Sequence, residues 1–197
     1  MRYDAEHKER THQRILAEAA SAIRTKGPDR VGVAEVMAEL GLTHGGFYAH
    51  FASKDELVAC AITYMFDRMI ARFERKTEGL PPAQALGVYI DSYLSVDHRD
   101  APGRGCALAA LSGDLPRLPA DARARFTEGA QRLPAAITKL LAELGRAEAE
   151  TLAVSAVSEL VGALALARAI ADDERSQAIL RVSRASIKAR LGLGAAA

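Results

Sequence analysis

Apolar residues recur at helical spacing along almost the whole chain. Between residues 10 and 25 the apolar residues 15, 19, 22 and 23 fall at i, i+4, i+7 and i+8, which predicts an amphipathic helix that stops at Gly27. A second helix is predicted over 33–40, ending at Gly41, and a short third one over 44–50 after the N-cap residue Thr43. These three helices indicate a small N-terminal module.

The remainder of the chain has the same periodicity. A long helix is predicted from Ser53 to the break at 79–82, and it is followed by helices over 86–98 and 106–112. The next predicted helix ends at Leu144 and contains Pro134, so it should kink or restart there. The last two predicted helices cover 148–171 and 173–191. The pattern predicts an all-α protein of about nine helices.

Composition supports a folded helical protein and limits its chemistry. Of 197 residues 49% are apolar and 5% aromatic, and the net charge is only +1. The two cysteines, Cys60 and Cys106, form no disulfide framework and no metal motif, so we expect neither a cofactor nor a metal. Because no apolar run approaches the roughly 20 residues that span a bilayer, we expect a cytoplasmic protein without a membrane segment.

The segment from Val33 to Leu57 has the spacing of a helix-turn-helix, with its tight turn at Gly41. Gly45 and Gly46 leave the first turn of the second helix without side chains, so that its backbone can approach phosphates or bases. No Asp or Glu occurs between residues 39 and 55, so a polyanion is tolerated there. The polar side chains that this segment presents are Thr43, His44, Tyr48 and His50.

The stretch GLTHGGFYAHFASKDEL resembles the signature of the TetR family of bacterial transcriptional regulators. In that family the stretch forms the recognition helix and the start of the next helix, and the resemblance covers the first sixty residues here. It implies that Lys54 lies at a phosphate. It also implies a DNA surface formed by Thr43, Gly45, Gly46, Tyr48 and His50. The family usually has an aromatic residue at the position of Pro28 and Ser or Thr at that of Gly32, so a phosphate contact from the second helix falls to the backbone or is lost.

We expect a helix-turn-helix DNA-binding domain at 8–54 and a ligand-binding and dimerisation domain at 55–197. A homodimer would hold two modules about 34 Å apart, the spacing of successive major grooves on a palindromic operator. The resemblance implies a repressor that a small-molecule effector releases from DNA, and pairing of the two C-terminal helices with those of a second subunit. We assign the dimer interface to Leu160, Leu164, Ile179, Val182 and Ile187.

Candidate effector-binding residues are Phe66, Met69, Tyr89, Tyr93, Cys106, Phe126 and Arg168. Cys106 lies at a predicted helix start, where it is either a reactive thiolate sensor or a small buried residue lining the cavity. The run from Gly105 to Ser112 resembles a TetR subgroup that includes electrophile-responsive repressors. That subgroup has a lysine at the position of Arg168, so cysteine–lysine chemistry is excluded here.

Other classes of protein have weaker support. The sequence contains no GxSxG, HExxH or phosphate-loop motif, so we do not predict an enzyme. A helical ligand-binding or dimerisation module without DNA binding is the remaining alternative, and a gel shift with the DNA flanking the protein's own gene separates the two.

Overall fold

The computed structural model describes residues 2–193, and for residues 2–5 it describes the backbone alone. Within that part of the chain every regular element is helical, so the all-α prediction is confirmed. The ten α-helices are α1 (Arg2–Lys26), α2 (Val33–Glu39), α3 (Lys54–Thr77), α4 (Pro82–Tyr93), α5 (Val96–Asp100), α6 (Ala107–Leu111), α7 (Ala120–Ala130), α8 (Arg132–Glu143), α9 (Ala149–Ala169) and α10 (Asp173–Arg190). The three 3₁₀ helices are His44–Ala49, Pro102–Arg104 and Leu115–Arg117.

Two of the predicted helices are each divided into two. The helix predicted over 86–98 is interrupted after Tyr93, because Ser95 caps a new helix: its Oγ accepts a hydrogen bond of 3.2 Å from the backbone N–H of His98. The helix that contains Pro134 restarts as predicted, between α7 and α8. Proline is tolerated in the first turn of α8, where backbone N–H groups have no partner within the helix.

The chain folds into two compact units, and neither is one continuous segment. Unit 1 comprises the chain up to Asp67 together with Pro102–Gly129. Unit 2 comprises Arg68–Ala101 and the chain from Ala130 onward. Helix α3 therefore begins in unit 1 and ends in unit 2. The predicted boundary between residues 54 and 55 separates two functions, DNA binding and ligand binding, and not two compact units, so it stays a prediction.

Helix α1 is the central helix of unit 1. It packs against α2, α6 and the 3₁₀ helix Pro102–Arg104. The Nε of Arg24 donates a hydrogen bond of 2.8 Å to the carbonyl of Gly103 and so joins α1 to that turn. The predicted apolar stripe is the buried one, with exposed fractions of at most 1% at Ile15, Ala19 and Ile23.

Helix α9 is the central helix of unit 2. It packs against α8 and α10 and also contacts α4 and α5. The Ser176 hydroxyl of α10 donates a hydrogen bond of 2.7 Å to the carbonyl of Ala167 in α9. The core of this unit includes Leu86, Ile90, Leu133, Ile137, Leu141, Leu160, Leu164 and Ile187.

The expectation that no segment could span a bilayer needs correction. Helix α9 is long and apolar enough to cross a membrane, by length and composition only, with a mean hydropathy of 1.6 over its most apolar stretch. Its charged residues, Glu150, Glu159 and Arg168, interrupt the helix near both ends and in the middle, so it contains no long uninterrupted apolar run. Core helices of globular proteins pass the same test, and Ala153, Leu160 and Leu164 of α9 are buried inside unit 2.

The residues assigned to a dimer interface are also corrected in part. Leu160, Leu164 and Ile187 are fully buried within their own chain, so they have no surface to offer a partner. Val182 of α10, in contrast, is 63% exposed, so its assignment to the interface stays a prediction. Periodicity alone could not make this choice, because α9 is apolar on more than one side.

Candidate nucleic-acid interface

The turn before the recognition helix is built on one glycine. Gly41 has a φ of 68°, a left-handed conformation that glycine adopts without steric cost. The backbone N–H of Leu42 then donates a hydrogen bond of 2.9 Å to the carbonyl of Met37, which ends α2 and reverses the chain. The predicted helix-turn-helix geometry is present.

The recognition helix, His44–Ala49, lies where the sequence predicted a helix but is a 3₁₀ helix of six residues. The Oγ of Thr43 accepts a hydrogen bond of 3.2 Å from the N–H of Gly46, as expected of an N-cap. Two consecutive glycines in the first turn disfavour an α-helix, and the bonds that form span three residues: Gly46 N–H to Thr43 at 3.0 Å and His50 N–H to Phe47 at 2.9 Å.

The recognition helix separates buried aromatic rings from exposed polar ones. Phe47 and Phe51 are 1% and 2% exposed, and their rings stack with centroids 5.6 Å apart, so their predicted core role is confirmed. Tyr48, in contrast, is 63% exposed. His44 is exposed as well, and its ring meets that of Tyr48 edge-on at 5.9 Å. The polar residues therefore face outward.

The two glycines of this helix have different surroundings. A Cβ added to Gly45 would meet no atom within 4 Å, so open space surrounds this backbone position. A Cβ on Gly46 would lie 3.4 Å from the Oγ of Thr43. Packing within unit 1 therefore does not require a glycine at position 45. Close approach of a ligand to the backbone would explain why a glycine stands there.

Lys54 lies at the first residue of α3, next to the cap residue Ser53. The Oγ of Ser53 accepts a hydrogen bond of 3.1 Å from the N–H of Glu56. The Lys54 ammonium donates a hydrogen bond of 3.0 Å to the carbonyl of Asp29, in the loop before α2. A lysine ammonium has three donors, so the predicted phosphate contact is compatible with this bond.

The start of α2 contains an ion pair and an N-cap residue without a side chain. Glu35 of α2 pairs with Lys26, and this pairing raises the pKa of the Lys26 ammonium. At the start of α2 the N-cap is Gly32, which makes no side-chain hydrogen bond. The expectation that a phosphate contact there falls to the backbone or is lost stays a prediction.

Three candidate effector residues, Phe66, Cys106 and Phe126, lie in unit 1. The rings of Phe66 and Phe126 meet edge-on with centroids 5.3 Å apart, and Phe66 also lies directly against Gly129. Cys106 is the N-cap residue of α6 and is 3% exposed. Whether it binds an effector stays a prediction.

The other four, Met69, Tyr89, Tyr93 and Arg168, lie in unit 2. The Tyr89 ring lies 5.9 Å from that of Tyr93. The guanidinium of Arg168 donates hydrogen bonds to the carbonyls of His98 at 2.8 Å and Arg99 at 3.1 Å, and so caps the C-terminal end of α5.

His98 is a strongly perturbed base of unit 2. Its Nδ1 lies 2.7 Å from the carbonyl oxygen of Tyr93, and its ring meets the Tyr93 ring edge-on at 4.9 Å. Burial lowers the pKa of His98 from 6.5 to about 4, and the nearby positive charges of Arg168 and Arg72 act in the same direction. The imidazole is therefore neutral at pH 7.

An exposed Tyr–His surface over a buried aromatic pair, following a tight turn, defines the helix-turn-helix module of DNA-binding transcriptional regulators. Residues 15–60 match the family model described as bacterial regulatory proteins, tetR family. Residues 15–60 thus carry the DNA-binding region that defines the TetR family of transcriptional regulators. The family resemblance predicted from the signature around Gly45 is confirmed.

Two curated relatives come from Bacillus subtilis (strain 168), and both are described as uncharacterized HTH-type transcriptional regulators. YfiR is 28% identical over 89 residues, which are 45% of this chain and 42% of YfiR. YerO is 29% identical over 93 residues, which are 45% of this chain and 32% of YerO. The matched region therefore spans less than half the length of either relative.

Solved structures of TetR regulators resemble the whole chain. The reduced form of NemR from E. coli has a TM-score of 0.79 at 21% identity, covering 91% of this chain and 95% of NemR. A regulator from Chloroflexus aurantiacus has a TM-score of 0.81 at 21% identity, covering 95% and 96%. A third regulator, from Legionella pneumophila, has a TM-score of 0.78 at 20% identity, covering 89% of this chain and 94% of that regulator. At these identities the likeness concerns the fold.

Proposed function

We propose that the protein is a transcriptional repressor that binds double-stranded operator DNA in the cytoplasm, a role that is not enzymatic. The observation that carries the proposal is the exposed Tyr48 beside the open backbone of Gly45, in a segment, residues 40–54, that contains no Asp or Glu. Phosphate contacts supply affinity and base-edge contacts supply specificity. The residues proposed to contact DNA are Thr43, His44, Gly45, Gly46, Tyr48, His50 and Lys54.

A gel shift with the DNA flanking the protein's own gene tests this role. We expect a complex that survives an excess of unrelated DNA, and we expect Tyr48→Ala to weaken it. Tyr64→Ala serves as the control, because Tyr64 is a tyrosine of α3 outside the recognition helix. Failure to bind any DNA would leave the alternative, a helical ligand-binding or dimerisation module.

We propose further that the repressor is a homodimer that reads a palindromic operator. Large apolar side chains are exposed on both C-terminal helices: Val154 is 50% and Leu166 58% exposed on α9, and Val182 is 63% exposed on α10. Because α9 and α10 pack together, a second copy could cover both helices at once.

Light scattering on the purified chain tests the dimer. We expect twice the mass of 21.0 kDa. Val182→Glu should give monomers, since a carboxylate would be buried in the interface, whereas Val88→Glu should not, although Val88 is also an exposed valine of unit 2 at 38%. A wild-type monomer that binds its operator tightly would contradict the palindrome model.

We also propose that a small apolar effector releases the DNA by binding the helical region beyond residue 54. Such a ligand acts by binding the DNA-free state better than the DNA-bound one. Each unit contains an aromatic pair among the candidates, Phe66 with Phe126 in unit 1 and Tyr89 with Tyr93 in unit 2, and either pair would suit an apolar ligand. The candidate residues are Phe66, Met69, Tyr89, Tyr93, Cys106, Phe126 and Arg168.

The apolar dye 8-anilinonaphthalene-1-sulfonate is a first probe of this site. We expect enhanced dye fluorescence and loss of the gel-shift complex at the same dye concentrations. Tyr89→Ala should weaken both effects. Dye binding that leaves the DNA complex intact would speak against effector control through this region.

A further inference from the structure

A cleft of about 280 Å³ lies beside the C-terminal end of the recognition helix. Lys8, Glu9 and His12 line it from α1, and Ala49 and His50 line it from the recognition-helix side. Lys8 and His12 are four residues apart on one helix and therefore share a face. The sequence predicted a DNA contact for His50 but did not connect it with α1.

The two imidazoles of the cleft are held in place by their neighbours. The ring of His12 stacks on Phe51 with centroids 4.6 Å apart, and it lies 5.9 Å from the ring of His50. The Nδ1 of His50 is buried and, among the residues that the structure describes, has no hydrogen-bond partner. Buried polar atoms are nearly always hydrogen-bonded, so this unpartnered nitrogen calls for an explanation, and a ligand bound by the His50 ring is one.

The charges around the cleft favour an anion. Lys8 contributes a permanent positive charge, and each imidazole becomes a cation with two donors when it is protonated. Glu9 is the one carboxylate that lines the cleft, and its Oε1 accepts a hydrogen bond of 2.9 Å from Gln13. Within residues 2–193 no three His, Cys, Asp or Glu side chains form a metal-binding group, so a metal is not the expected occupant.

We propose that this cleft is an anion site that holds one backbone phosphate of bound DNA, with His50 as its titratable donor, His12 as a second imidazole beside it and Lys8 as its fixed charge. The inference rests on the proposed DNA binding and adds a regulation to it: operator affinity rises as pH falls. The cleft adjoins Ala49 at the end of the recognition helix, where a DNA strand beside Tyr48 would pass.

The pH dependence follows from linkage between proton and phosphate binding. Burial lowers the pKa of His50, and the positive charges of His12 and Lys8 lower it further, against the opposing effect of Glu9. In the free protein His50 is therefore neutral at pH 7. A phosphate in the cleft offsets these costs and favours protonation, so the complex binds more protons than the free protein.

Fluorescence anisotropy with a labelled duplex from the DNA flanking the protein's own gene tests the proposal, at pH 8 and pH 6 and constant ionic strength. We expect wild type to gain about tenfold in affinity at pH 6, which corresponds to an average uptake of about half a proton on binding across these two pH units. The double variant His12→Gln/His50→Gln should gain less than about twofold. His7→Gln is the matched control, because His7 lies on α1 but does not line the cleft.

Histidine NMR on the full chain separates the outcomes. We expect the pKa of His50 to rise when the duplex is bound, and thermal melts should show that the variants remain folded. If the double variant binds DNA with the wild-type pH dependence, the site is wrong while DNA binding stands. If no DNA binds and inorganic phosphate alone shifts the His12 and His50 signals, both the proposed function and the DNA phosphate are overturned.

Discussion

Substitution of Gly45 by alanine should separate stability from function, because its two effects have opposite signs. The added Cβ meets no atom within 4 Å, and Gly45 has no positive φ, so the folded state accepts alanine without strain. Alanine also has less conformational freedom than glycine in the unfolded chain. We expect Gly45→Ala to raise the free energy of unfolding by about 0.4–1 kcal/mol.

The same methyl group should weaken DNA binding. If the backbone at Gly45 reaches van der Waals contact with DNA, the methyl group occupies the space of a phosphate or a base edge. We expect a loss of about tenfold or more in affinity, which corresponds to ~1.4 kcal/mol or more. A variant that is more stable and yet binds less tightly cannot owe its defect to unfolding.

Urea unfolding measures the first effect, and anisotropy with the duplex described above measures the second. Gly87→Ala is the matched control, since a Cβ there also meets no atom within 4 Å and Gly87 lies within α4 of unit 2. It should gain stability and keep the wild-type DNA affinity. Wild-type DNA affinity in Gly45→Ala would refute close approach of DNA at this residue.

Three further predictions follow from single contacts. Lys54→Ala should weaken binding to all DNA sequences alike and reduce the slope of log affinity against log salt by about one. Lys76→Ala, at the other end of α3, is the control and should change neither. Equal slopes for wild type and Lys54→Ala would exclude a phosphate contact at Lys54. Gly129→Ala should destabilise the protein by about 1–3 kcal/mol in urea unfolding, because its Cβ would lie 2.1 Å from Cδ2 of Phe66. A second change, Phe66→Leu, should recover part of this loss if the clash is its cause. The pKa of His98 is lowered from 6.5 to about 4, so between these pH values the unfolded chain binds more protons than the folded one. The free energy of unfolding should therefore decrease as the pH is lowered from 6.5 to 4. The loss is at most about 3 kcal/mol, and it should shrink in His98→Gln.

Much of unit 1 could be predicted from local sequence. The i, i+4 spacing of Phe47 and Phe51 placed both rings in the core, and Gly41 marked the turn, because each feature depends on neighbours within a few residues. Thr43 acts as the N-cap for the same reason. The 3₁₀ geometry of the recognition helix was not predicted, since the spacing of apolar residues in a segment of six residues does not distinguish a 3₁₀ helix from an α-helix.

By itself, the sequence determined the helical fold, the helix restart near Pro134 and the family resemblance of residues 15–60, since periodicity, proline chemistry and a contiguous motif are all local properties. The tertiary structure alone decided which apolar side chains remain exposed: Leu160 and Val182 both satisfy a helical pattern, yet packing buries the first and exposes the second. It alone also brought His12 to His50, because residues so far apart in the chain meet only when α1 packs against the module that follows it.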